Sequence, residues 1–112
     1  MRNINLKDMC KNAEIAAVKL KALAHPARLM ILCQLVDQEK SVGDLYQDSS
    51  LSQSAFSQHL AVLRKQNLVK TRRQTQTIFY SLAGEDSIQI LQLLHKLYCK
   101  YNEIQLHSTA VP

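Results

Sequence analysis

Between residues 51 and 82 the spacing of apolar residues changes from a helical to an extended repeat, and that change restricts the fold more than any other feature of the chain. Ser52 stands where a helix N-cap belongs, its hydroxyl placed to accept from an orphan amide one turn on. Phe56, Leu60 and Leu63 then recur at i, i+4 and i+7, the stripe of a helix with one face in a core. Asn67 releases that helix, since asparagine tolerates the left-handed conformation of a C′ residue. Beyond it Leu68, Lys70 and Arg72 alternate with Val69, Thr71 and Arg73, and Thr77-Ile78-Phe79-Tyr80-Ser81-Leu82 is rich in β-branched and aromatic residues. A period of two with that composition predicts two strands joined through Gln74-Thr75-Gln76, a β-hairpin. Because the tip lacks glycine, a tight two-residue turn is not expected there.

The side of the helix opposite the stripe carries Gln53, Ser54, Ser57, Gln58 and Ala61. An ordinary solvated face would hold Glu and Lys pairs; this one is polar, uncharged and made of short or amide side chains. Amides and hydroxyls read base edges, Gln pairing bidentately with adenine and Ser donating or accepting at either base type. Small residues also let a helix backbone sit deep in a major groove, so the pattern predicts a recognition helix. The formal net charge is +5 and is unevenly placed. Residues 1–48 hold seven Lys/Arg and six Asp/Glu, residues 85–112 hold two and three, and residues 49–84 hold Arg64, Lys65, Lys70, Arg72 and Arg73 with no acid. A basic block around an uncharged reading face is the footprint of a phosphate-binding surface. The plainer alternative is a basic solvated face on an ordinary domain. His59 borders both the reading face and the Phe56/Leu63 stripe, so it reads either as a packed, hydrogen-bonded residue or as a phosphate or base contact.

At 112 residues the chain makes one domain with one core and little room for a separate catalytic pocket. Two glycines, two prolines and no tryptophan speak against long irregular loops and for a mainly α fold. Residues 8–24, with Ile15, Val18, Leu20 and Leu23 among many alanines, predict an amphipathic first helix that another helix can approach closely. His25-Pro26 marks a boundary, Pro26 suiting the first turn of a second helix to about residue 37, dense in Leu29, Ile31, Leu32, Leu35 and Val36. Ser41-Val42-Gly43-Asp44 resembles a capping box opening a short third helix around Leu45. With the turn at Asp48-Ser49-Ser50 and the recognition helix it makes a helix-turn-helix, and the hairpin becomes a wing whose Arg72 and Arg73 serve the DNA backbone or minor groove. The last helix, residues 85–101, is apolar on two sides, through Ile88, Leu91, Leu94, His95 and Tyr98 and through Ile90, Leu93 and Leu97. Such a helix is covered by its own domain and by a second subunit. The expected architecture is therefore a winged helix-turn-helix of about five helices and a two-stranded wing, one domain over residues 1–102 with a flexible tail at 103–112. No apolar signal-peptide core stands at the amino terminus and no membrane-length apolar run occurs, so a cytoplasmic protein is expected. Its three cysteines then read as buried hydrophobes, metal ligands or redox thiols rather than a disulfide framework.

Three segments together resemble the ArsR/SmtB family of winged-helix repressors: residues 24–32 (Ala-His-Pro-Ala-Arg-Leu-Met-Ile-Leu), residues 51–64, and residues 78–82 (Ile-Phe-Tyr-Ser-Leu). The likeness spans roughly residues 12–100. Ile31-Leu32-Cys33 and Leu93-Leu94-His95-Lys96-Leu97-Tyr98-Cys99 are similar to the HlyU, BigR, SqrR and YgaV branch of dithiol sensors. The resemblance implies a homodimer built on the first and last helices and a palindromic double-stranded operator, with the two recognition helices about one DNA turn apart. It also implies a response to reactive sulfur species (persulfide or polysulfide) or to oxidants through Cys33 and Cys99. Two departures speak against metal sensing. Val42-Gly43-Asp44-Leu45 stands where metal-sensing relatives carry a Cys-x-Cys site, and Asp86-Ser87-Ile88 where zinc sensors carry Asp-x-His. Neither stretch supplies the thiolate or imidazole cluster that zinc needs, so no metal and no cofactor is expected.

Taken without the resemblance, Cys33 reads first as a small buried hydrophobe in an apolar helix. Cys99 sits at a helix end, where the macrodipole disfavours a thiolate but Lys96, Lys100 and His95 offset it. A plain disulfide needs Cα atoms within about 7 Å, and a bridge with added sulfur spans more, so a slightly wide pair favours reactive sulfur over peroxide. Linking the pair would pull the second helix against the last, shift the recognition helices and lower operator affinity by about 1–3 kcal/mol. Cys10 has no counterpart in the pattern, and His95 reads as interface packing rather than a ligand. Three rivals remain: an effector-independent activator that competes with another DNA-bound protein, a thiol enzyme using Cys99 with His95, and a protein-interaction module that does not bind DNA, whose association with duplex would not fall with salt. The second lacks an orienting acid, an oxyanion site and a substrate pocket, so an enzyme is not expected.

Overall fold

A computed structural model describes residues 5–99, and within them the order is four helices, a hairpin and a final helix, with one short strand added. Helix α1, Leu6–Leu23, is capped by Asn5, whose side chain accepts from the amides of Lys7 and Asp8. Helix α2, Pro26–Gln34, is capped by His25, whose Nδ1 accepts from the Ala27 amide at 3.1 Å, with Pro26 in the first turn where no amide is needed. This helix stops three residues short of its expected end. The amides of Leu35 and Val36 turn back to Leu32 and Cys33, which lets Leu35 enter the core.

The turned chain then lays down strand β1, Lys40–Ser41, before helix α3, Val42–Gln47, whose first turn is closed by Ser41 Oγ accepting from the Asp44 amide. Helix α4, Gln53–Lys65, begins as expected, with Ser52 Oγ accepting from the Ala55 amide at 3.1 Å. It ends in a Schellman motif. Asn67 takes φ 57°, its amide reaches Arg64 O and the Leu68 amide reaches Leu63 O, each at 3.0 Å. Leu63 and Leu68, which meet across that motif, are both fully buried.

Strands β2, Val69–Gln74, and β3, Thr77–Leu82, pair antiparallel with Gln74 opposite Thr77. The connection is therefore Thr75-Gln76, a tight two-residue turn, contrary to the expectation from the missing glycine. Thr75 supplies the positive φ, 60°, that such a turn demands of its first residue. On its other side β3 pairs with β1, Lys40 opposite Tyr80 and Ser41 opposite Phe79, giving a three-stranded sheet in the order β1-β3-β2. Two residues carry too little pattern to announce a strand, which is why the sequence suggested only two.

Gly84, at φ 84°, opens helix α5, Glu85–Leu94, and the helix widens into a π-helical turn over His95–Cys99. Leu23, Ile31, Leu32, Leu45, Phe56, Leu60, Leu63, Leu68, Tyr80 and Leu91 form one core that joins every major element. The ends of the single-domain expectation, including the tail at 103–112 and Lys100, lie outside the described residues. No described helix is long and apolar enough to cross a membrane.

Candidate nucleic-acid interface

Helix α4 turns Phe56, Leu60 and Leu63 into the core and leaves Gln53, Ser54, Ser57, Gln58 and Ala61 exposed. It is anchored from three directions. Phe56 packs on Tyr46 of α3, ring centroids 5.1 Å apart. His59 lies 4.4 Å from the His25 ring and 3.3 Å through Nδ1 from Nη1 of Arg28. At the far end Nη1 of Arg64 donates to the Tyr80 hydroxyl at 2.6 Å, tying the helix to the wing.

Arg28 also donates to the carbonyls of Ala22 and Lys21, so one guanidinium gathers the end of α1, the start of α2 and the middle of α4. Of the two readings of His59, the packed, hydrogen-bonded one describes its surroundings. Burial, and then the neighbouring His25 and Arg28, hold its imidazole below the usual value. Sequence reasoning had not assigned Arg28 a role. The available signal was a lone cation inside an apolar helix, which must find acceptors when its stem packs.

The cations divide into two sets. Lys65 and Arg73 are exposed, and neither has an ion pair among the described residues. Arg72 is engaged. Its Nε donates to both carboxylate oxygens of Glu39 at 3.0 Å, its Nη2 donates to the same carboxylate, and its Cζ lies over the Phe79 ring, 4.5 Å from the centre. The guanidinium holds the Glu39 carboxyl below the usual carboxylate range, and the carboxylate raises Arg72 in turn. The acid-free block at 49–84 is thus not acid-free in space, because the pairing of β1 with β3 brings Glu39, the residue before β1, to the wing. In β2, Arg72 pairs across from Phe79 and Arg73 from Ile78, so the two arginines point to opposite faces of the hairpin.

Cys33 stands at the other end of α2. Cys33 is half-buried and lines an apolar groove of about 330 Å³ with Pro26, Leu29, Met30, Leu94 and Tyr98. The last two residues belong to the segment that ends at Cys99. The side chain of Cys99 lies outside the described residues. Cys10 is exposed on α1, and His95 is half-buried at the start of the π-helical turn. Asp86, at the position where zinc-sensing relatives have a ligand, pairs with Lys19 of α1 at 3.2 Å. Among the described residues no three His, Cys, Asp or Glu side chains form a group that could hold a metal.

The family described as bacterial regulatory protein, arsR family, matches residues 25–71, from the cap of α2 into β2. The transcriptional activator HlyU of Vibrio cholerae is 51% identical over 100 residues, which cover 89% of this chain and 93% of that protein. The chain belongs to the arsR family. The biofilm growth-associated repressor of Xylella fastidiosa is 43% identical over 83% of this chain and 82% of its own length. Among solved structures, reduced HlyU from Vibrio cholerae superposes with a TM-score of 0.79 at 52% identity, over 83% of this chain and 98% of that one. The transcriptional repressor BigR from Xylella fastidiosa gives 0.79 at 41% identity, over 88% and 97%. This arsR-family chain is accordingly a DNA-binding transcriptional regulator with a winged helix-turn-helix fold, and not an enzyme.

Proposed function

We propose that the chain acts in the cytoplasm as a homodimer that lays one α4 helix per half-site into the major groove of a palindromic operator, and that its grip falls when Cys33 and Cys99 are linked. The observation that carries the DNA reading is the uncharged face of α4, held clear of the core and flanked by Arg64, Lys65 and the wing. Gln53, Ser54, Ser57 and Gln58 contact base edges, Lys65 and Arg73 contact phosphates, and Arg64, His59 and Arg72 hold the surfaces that do so. Dimerisation through α1 and the α5 segment is supported by the apolar side chains these leave exposed, among them Ile15, Val18, Leu20, Leu93 and Leu97.

The thiol reading is supported by the groove at Cys33, walled by the residues that lead into Cys99. Each cysteine thiolate displaces hydrosulfide from a polysulfide, so the cysteine sulfurs are oxidised, sulfane sulfur is reduced to hydrosulfide, and a sulfur bridge remains between α2 and the last helical turn. The bridge draws those elements together, and a coupling of about 1–3 kcal/mol between the sites would lower operator affinity about 5–150-fold. Operator binding by reduced and polysulfide-treated protein, with mass analysis of the Cys33 and Cys99 peptides, tests this. Cys33→Ser and Cys99→Ser are expected to bind DNA and ignore the treatment, and release of DNA by either variant would defeat the paired-thiol mechanism. The name of the Vibrio cholerae relative, an activator, favours a second reading: an effector-independent regulator that competes with another DNA-bound protein. Thiol-insensitive binding of the untreated and treated chain would select it.

A further inference from the structure

A run of hydrogen-bonded groups follows one face of the wing and ends at its tip. Glu39 holds Arg72 by two donors, Phe79 supports the guanidinium from below, and the remaining Nη1 donates to Oε1 of Gln74 at 2.8 Å. A guanidinium has donors and no acceptor. The Gln74 atom facing it must therefore be the carbonyl oxygen, and the amide NH₂ is turned away. Gln74 is exposed and is the last residue of β2, so the wing presents a fixed pair of donors at its end. The tip is also narrow. Strands about 4.8 Å apart are closed by only two residues, and Gln74, Thr75, Gln76 and Thr77 are all exposed and uncharged.

Chemistry of this kind has a defined counterpart. In the minor groove, about 6 Å wide, an A·T pair offers only the acceptors adenine N3 and thymine O2, whereas G·C adds the guanine 2-amino donor. Outward amide donors meet acceptors on A·T and meet a donor on G·C.

We propose that Gln74 reads A·T pairs in the minor groove beside each half-site, with Glu39 and Arg72 as positioning residues that keep its amide turned donor-outward. The inference rests on the recognition-helix reading above, which brings the wing against the duplex. It differs from a phosphate role for the wing, because a phosphate contact carries no sequence preference.

The experiment uses duplexes selected by the full chain from random-sequence DNA. Pairs flanking the half-sites are then exchanged for G·C or for inosine·cytosine, which has the major-groove edge of G·C but lacks the minor-groove amino group. Flanks of A·T and inosine·cytosine are expected to bind alike and G·C flanks about 5–10-fold more weakly, the lower end of a base-edge contact. Gln74→Ala should make the three flanks bind alike. Glu39→Gln should narrow the ratio between A·T and G·C flanks. It should also shift the Gln74 side-chain amide resonance, with the backbone resonances of β2 and β3 in place, a pattern that collapse of the wing does not produce. Inosine·cytosine behaving like G·C would overturn the inference. So would a Gln74→Ala chain that still discriminates, which would assign the preference to groove width sensed by Arg73. Selected duplexes with half-sites but no flank preference refute this inference alone, and failure to select any duplex refutes the DNA reading beneath it.

Discussion

The two ends of the molecule expose opposite chemistry. At the α4 and wing end the exposed groups are Gln53, Ser54, Ser57, Gln58 and Lys65 on α4, whose opposite face packs into the core, and Arg73 on β2, which buries Val69 at its base. At the α1 and α5 end the exposed groups are Leu6, Ile15, Val18, Leu93 and Tyr98, between 53% and 79% accessible, and α1 buries only Ala22 and Leu23 along its 18 residues. In proteins most helical stability comes from packing one apolar face, and α1 leaves that face largely uncovered. One end is therefore finished and waits for a hydrated, charged partner, while the other is unfinished and needs a dry one.

Ile15→Glu strikes the unfinished end and carries the largest expected effect. A charge placed in a dry interface has no compensation, so the chain should sediment as a monomer. Operator affinity should then drop about 10²–10⁴-fold, because the second half-site no longer binds intramolecularly. A variant that stays dimeric would move the partner surface elsewhere. At the finished end, Gln58→Ala should cost about 1–3 kcal/mol of operator binding and relax preference at a single base pair, read by titrating operators changed one position at a time. A uniform loss across sequences would make Gln58 a backbone contact instead.

The third effect concerns what holds the finished end in place. The His59 imidazole titrates below its ordinary value in the folded chain, so the unfolded chain binds the proton more tightly. Its contribution to stability is complete above the unfolded value, about 6.5, and is lost as pH falls through the lower folded value. Thermal melting followed downward from pH 7.5 should therefore show a decline that His59→Gln flattens, and an unchanged profile in that variant would assign the decline to another group. The smallest effect is at the tip of the wing. Thr75 is β-branched at φ 60°, and Thr75→Gly should raise stability by about 0.5–1 kcal/mol, the relief of a left-handed conformation exceeding the added freedom of the unfolded chain. A lower midpoint in urea would mean that Thr75 contributes contacts outweighing its backbone strain.

Local physics was legible in the sequence and distant pairing was not. Ser52, the Phe56/Leu60/Leu63 stripe and Asn67 act within one or two turns, and each has the geometry its residue type suggests. The fold class followed from them and from the change of period beyond Asn67. Glu39 and Arg72 stand 33 residues apart, as Arg28 and His59 stand 31 apart, and nothing in their own neighbourhoods announces the partner. The tight turn at Thr75-Gln76 was misjudged for a related reason: strand register is set by the whole sheet, which here forces a threonine into a conformation that its own preference opposes. The pairing of Cys33 with Cys99 came from family likeness, since the cations spaced around Cys99 point to no partner thiol and Cys33 sits among apolar residues.

The bond between Arg64 and Tyr80 bolts the reading helix to the sheet that carries the wing. Two probes fixed to one rigid frame behave as a caliper, and the distance between their points belongs to the protein rather than to the DNA. Inserting one base pair between half-site and flank should then be punished like a wrong letter, although every letter is correct.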